Sequence, residues 1–185
     1  MSQSKSLFIS PDYLKELTAL NANVDDVVIR ANILNVQRMY IEPILGTDLY
    51  DAIVSKISGA GLTGDYQILV NKWCASAVAW YTMVELIPTI AVDIARGGVY
   101  RGNAENSSTA SIQEINLLRD GYRNNAERFT DRLGDYLCSN SNLFPEYSTN
   151  SNEDLRPQNT SAFNGIWLGG NNDETEYEKR TGQRY

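Results

Sequence analysis

Paired carboxylates are the residues of this chain best placed to do chemistry. Asp25-Asp26 and Asp48/Asp51 each put two acids within one helical turn, and such carboxylate pairs could in principle do acid/base work. Both pairs, however, fall in the first turns of segments with helical periodicity, where the helix dipole favours negative charge, and helix-end acids are the expectation. The absence of histidine from all 185 residues removes Ser-His-Asp triads, Cys-His dyads and His-based zinc sites together. Cys74 lies inside an apolar run and Cys138 near the end of another, neither in a CxxC or metal-ligand spacing, so both are expected as core thiols in a reducing compartment. Gly59-Ala60-Gly61 and Gly97-Gly98 follow no strand and lack the lysine and hydroxyl of a phosphate loop. No catalytic group, cofactor or metal is expected.

Arg119, Arg123, Arg128 and Arg132 resemble a basic stripe, but at about 100° per residue they fall in two pairs on nearly opposite sides of a helix. With Asp120, Glu127, Asp131 and Asp135 interspersed, surface ion pairing is the expected role; contact with phosphates lining a channel is the alternative.

The elements that position these groups read as an all-α bundle of about five helices with an extended C-terminal arm. Residues 1–10 form an N-terminal extension, 11–147 the helical domain and 148–185 the arm. Ser10-Pro11-Asp12 starts the first helix, which runs to about Leu20. After a polar break at Asn21 to Asn23, Val24, Val27, Val28, Ala31, Leu34, Ile41 and Leu45 mark one broad buried face. Pro43 predicts a kink or restart, because it has no N–H and would crowd the Met39 carbonyl; Gly46 ends the segment. Thr47 caps a third helix from Asp48 to about Ile57, carrying Leu49 and Ile53. From Asp65 an apolar stripe of Ile68, Leu69, Trp73, Ala77, Trp80, Tyr81, Val84 and Ile87 marks the central helix, with Glu85 at the surface or an interface. Pro88 interrupts that pattern, which continues through Ile94 to Gly97-Gly98 and a mobile loop to Ala110. The last helix, Ser111 to about Leu137, buries Ile115, Leu118, Tyr122, Ala126, Phe129, Leu133 and Tyr136.

Apolar residues make up 42% of the chain, enough for one core. The net charge of −7 argues against an outer surface that holds nucleic acid by neutralising phosphates. The N-terminus has no apolar signal segment, and the apolar uncharged stretch Trp73 to Val84 is well below the roughly twenty residues of a membrane span. The polar arm carries one apolar word, Phe163-Asn164-Gly165-Ile166-Trp167-Leu168-Gly169-Gly170. Phe163, Ile166, Trp167, Leu168 and Gly169 are the expected partner-binding residues, since flanking glycines let a backbone approach closely and the triplet can add to a neighbour's sheet edge. Folding back onto the body as a lid is the competing reading.

The run Gln37-Arg38-Met39-Tyr40-Ile41-Glu42-Pro43-Ile44-Leu45-Gly46-Thr47-Asp48-Leu49-Tyr50, followed by the helix with Trp73 and Tyr81, a long last helix and Leu143-Phe144-Pro145, resembles the head-to-tail connector proteins of tailed bacteriophages. It is similar in particular to the adaptor, or head-completion ring, proteins of crAss-like phages of Bacteroidetes, over roughly residues 7 to 147. The resemblance implies a small helical bundle whose copies form a dodecameric ring between the portal protein and the next neck or tail protein. Such a ring continues the DNA channel, in passing contact with the genome, and its C-terminal arm reaches a neighbouring subunit or the portal. It implies location in the virion neck after assembly in the host cytoplasm, and a structural role for Pro43 and Gly46 at the corner between helices. Two other classes stay open: a host-directed regulatory protein using the same arm, and a helical bundle binding a small ligand near Trp73, Trp80, Tyr81 and Glu85.

Overall fold

The computed structural model describes residues 6–91, 93–95, 98–100, 111–149 and 155–157. It is an all-α bundle. Among the described residues the helices are α1 (Pro11–Leu17), α2 (Asp26–Val36), α3 (Glu42–Leu45), α4 (Thr47–Ser58), α5 (Gly64–Ile68), α6 (Ala75–Ala91), α7 (Ile112–Ser139) and α8 (Pro145–Thr149). A π turn, Gln37–Ile41, joins α2 to α3, and a second, Leu69–Cys74, joins α5 to α6. The joined pieces run as continuous rods, so the principal rods match the sequence expectation, with short α8 added.

Local chemistry fixes the helix ends. The Ser10 hydroxyl accepts from the Tyr13 N–H at 3.1 Å, with Pro11 at the first helical position. α1 stops at Leu17 rather than Leu20, because Thr18 turns to extended backbone and its hydroxyl donates to the Leu14 carbonyl at 2.7 Å. Asp25 caps α2 by accepting from the Val27 N–H at 2.9 Å. Ser111 and Glu114 form a reciprocal capping box at the start of α7.

The face that α2 buries is rotated from the predicted one. Ile29, Ile33 and Val36 are fully buried, whereas Val27 is exposed. Two apolar rows share this helix, and packing against α6 selects the isoleucine row.

The interruption expected at Pro43 takes the form of a wide turn followed by a restart. The Glu42 N–H donates to the Gln37 carbonyl, five residues back, and α3 begins with Pro43 in its first turn. Widening the helix by one residue relieves the crowding a proline ring imposes on the carbonyl four residues earlier. Within the same turn the buried Gln37 amide accepts from the Phe8 N–H at 2.9 Å and donates to the Ser6 carbonyl at 3.1 Å. Phe8 and Ile9, expected in an extension, are therefore part of the core.

Pro88, by contrast, does not end α6, which continues to Ala91. The chain then forms a short antiparallel ribbon, β1 (Asp93–Ala95) with β2 (Gly98–Tyr100), pairing Ile94 with Val99. The helical reading through Ile94 is corrected: β-branched Ile94 and Val99 favour the strand. The rest of the loop expected to Ala110 lies outside the described residues.

α6 is the centre of the bundle, packed between α2 and α7. Three aromatic pairs knit it to its neighbours: Tyr81 with Tyr40 (centroids 4.2 Å apart), Trp80 with Tyr122 (5.5 Å) and, from the preceding π turn, Trp73 with Tyr136 (4.7 Å). Ile68, assigned to the central stripe, is instead half exposed.

Candidate functional site: a latched corner and an open helical groove

Gly46 links α3 to α4 with φ 77° and ψ 154°, a backbone region that in practice only glycine occupies. Its N–H donates to the Glu42 carbonyl at 2.8 Å, closing α3. Thr47, expected to cap the next helix, is the first residue inside α4, and Gly46 takes the cap position. The freed Thr47 groups face another segment: its N–H donates to the Leu155 carbonyl at 3.1 Å, and its hydroxyl accepts from the Leu155 N–H at 3.2 Å. Pro157 completes the contact, its Cδ lying 2.7 Å from where a Cβ on residue 46 would sit.

Pro43 and Gly46 thus shape the corner as anticipated, and the corner also holds a stretch of the expected arm. Leu155 and Pro157 escaped sequence reasoning. The one signal was an apolar residue two before a proline in an otherwise polar stretch. Phe163, Ile166, Trp167, Leu168 and Gly169 lie outside the described residues.

A second feature is a groove of about 720 Å³ whose lining, among the described residues, is Glu114, Leu117, Leu118, Gly121, Tyr122 and Asn125 of α7. Leu117 is 77% exposed and Leu118 50%. The expectation that Leu118 is buried is corrected, because the fully buried residues of α7 begin at Ala126 and belong to its second half.

A polar cluster joins α7 to α6 and the first π turn. The Tyr40 hydroxyl donates to Glu85 Oε1 at 2.8 Å, and the Arg119 guanidinium approaches the same oxygen at 3.8 Å. Arg119 Nε also donates to the Val84 carbonyl at 3.2 Å. That carbonyl is the one whose helical partner would be the N–H of residue 88, which proline lacks. Burial, then the bond to Glu85, raises the Tyr40 pKa above its ordinary value. A protonated donor held by an engaged carboxylate is a brace, not an acid/base pair.

Several of the other chemical candidates also have structural roles. Asp26 pairs with Lys15 at 2.7 Å, and that hydrogen bond lowers its pKa, keeping it ionised. Arg119 crosses to α6, while the Arg132 guanidinium lies 5.6 Å from the Trp73 ring centre and 5.8 Å from that of Phe129. Arg119 thus ion-pairs as expected, but across to Glu85 of α6 and not with the acids interspersed on α7, while the contacts shown for Arg132 are with aromatic faces. Cys74 is buried, which pushes its thiol pKa up. Among the described residues no cluster of His, Cys, Asp or Glu is arranged to hold a metal, and no helix is long and apolar enough to cross a membrane.

Residues 41–156 match a family of unknown function, DUF6712. The chain belongs to this family. The matched span runs from the end of the first π turn to the residue after Leu155, so it contains both sides of the Thr47–Leu155 contact and the α7 groove. No curated protein and no solved structure matches the chain.

Proposed function

We propose that this chain is a noncatalytic structural protein of a tailed-phage virion. In this reading it forms a dodecameric ring at the portal vertex, joins the portal to the tail and continues the DNA channel, with its C-terminal arm as a clamp between subunits. The observation that carries the reading is the Thr47–Leu155 latch. It ties Leu155, in the first part of the arm, to the Gly46 corner, and the single apolar word follows in the sequence from Phe163. A fixed origin is what a clamp needs, because it limits the volume the word must search and so raises its effective concentration at a neighbouring site.

Three further features agree with this role. Apolar side chains stand uncovered on α7. Of the two carboxylate pairs, Asp25 is engaged in a helix cap and Asp26 in an ion pair with Lys15. The chain's net charge of −7 suits a conduit, since a wall that gripped phosphates would slow the passage of DNA.

The deciding experiment is cryo-electron microscopy of the portal vertex of purified particles, with quantitative mass spectrometry of their proteins. A ring of this chain at the neck is the expected result. Its absence from particles overturns the proposal and brings forward a host-directed regulator or a ligand-binding bundle.

A further inference from the structure

We infer that the α7 groove receives the Phe163–Leu168 segment of a neighbouring copy of this chain. The inference rests on the ring proposed above and names the surface its arm grips.

The groove has the marks of a binding surface that the described residues leave uncovered. Its large apolar lining residues are Leu117, Leu118 and Tyr122, with Gly121 beside them in the interior of a long helix. Glycine there costs roughly 1 kcal/mol relative to alanine. Nothing within 4 Å would meet a Cβ at this position, so no contact inside the described bundle requires the glycine. A bare Cα there admits the close approach of an external backbone beside Leu117 and Leu118, one turn earlier in the helix.

The length and chemistry of the chain beyond Pro157 identify the occupant. From Pro157 to Asn172 the sequence carries no charged residue, and its large apolar side chains are Phe163, Ile166, Trp167 and Leu168. An uncharged segment with one tryptophan suits an apolar groove, where a charged one would lose hydration without compensation. Gly165 and Gly169 flank the triplet and allow its backbone to approach Gly121. From Pro157, fixed at the corner, Phe163 is six residues away, a reach of at most about 20 Å. The latched corner packs with α4, whereas α7 packs on α6 and the Leu69–Cys74 turn. Arm origin and groove thus belong to separate parts of one copy, and pairing between adjacent copies repeats the same contact around a ring.

The test is cross-linking in the full-length protein, assembled from an equal mixture of isotopically light and heavy copies. Trp167 is replaced by p-benzoylphenylalanine in one preparation and Leu117 in another, so the contact is probed from both sides. The expected products join a light chain to a heavy chain, from position 167 to residues 114–125 and from position 117 to residues 163–168. Leu118→Asp should lower the yield roughly tenfold, as removal of a buried anchor does, while leaving the thermal melt of the bundle unchanged. Cross-links confined to single chains, cross-links to another surface, or none from either probe overturn the inference. A neck ring whose cross-links map elsewhere removes only this seat. The expected cross-links in a protein absent from particles remove only the virion role.

Discussion

Thr47 and Leu155 exchange two backbone-anchored hydrogen bonds although 108 positions separate them in the chain. The exchange is possible because Gly46 carries the backbone through a conformation that turns the first groups of α4 outward. Pro157 then fills the space that a side chain on residue 46 would take.

Gly46→Ala should therefore destabilise the protein in two separable ways. The backbone region alone costs of order 1–3 kcal/mol for a residue with a Cβ, and the new methyl also displaces Pro157. Urea unfolding of Gly46→Ala, Pro157→Gly and the double variant measures both parts. The double variant should lose less than the sum of the single losses; strict additivity would mean that Pro157 does not press on the corner.

A truncation that keeps the latch should differ from one that removes it. Ending the chain after Pro157 should leave the melting curve unchanged while weakening assembly. Ending it after Thr149 removes Leu155 and Pro157 as well and should cost about 1–3 kcal/mol, from two lost hydrogen bonds near 1 kcal/mol each. Calorimetry with light scattering reads both effects, and equal stability of the two forms would refute the latch.

Arg119→Met should destabilise the bundle by about 1–3 kcal/mol, the penalty for leaving a buried acceptor unpaired. The sharper test uses Pro88→Ala, which supplies the N–H that the Val84 carbonyl otherwise lacks. In that background Arg119→Met should cost clearly less. If its cost is the same in both backgrounds, Arg119 acts through Glu85 alone and the carbonyl plays no part.

Alkaline pH should weaken the fold through Tyr66. Burial, then its hydrogen bond to Glu146, raises the pKa from 10.0 to about 12. A raised tyrosine favours the folded state in its neutral form, so its contribution is complete below about pH 10, the unfolded value. Above that, the unfolded chain holds fewer protons than the native one, and stability falls as pH rises towards about 12. Tyr66→Phe should flatten this decline in urea midpoints; an unchanged slope over the same range would contradict it.

The sequence made some of this architecture legible and hid the rest for identifiable reasons. Ser10, Asp25 and Ser111 announce helix starts because capping is local chemistry, set by a side chain and an N–H two or three residues on. Pro43 and Gly46 could be placed at a corner for the same reason. Pro88 misled, since the device that lets a helix run through it, a guanidinium from α7 on the orphaned carbonyl, comes from 35 positions away. On α2 two apolar rows compete, and only the packing of α6 decides between them. Leu118 continues the helical period of a buried stripe, yet periodicity does not say where along a 28-residue helix the neighbours stop. Leu155 is a single residue, too little pattern to see. Of the candidate site, the corner was readable and the groove was not, because an exposed leucine and a buried one look alike in a string of letters.

The wide turn at Gln37–Ile41 also bears on ancestry. A helix that lost one residue there would regain its ordinary pitch, rotating everything downstream by about 100° and restoring the crowding between the ring at position 43 and the carbonyl before it. The extra residue and the proline thus depend on each other. Relatives that carry a proline before the glycine corner should carry the longer turn, and those whose turn is one residue shorter should have something other than proline in its place.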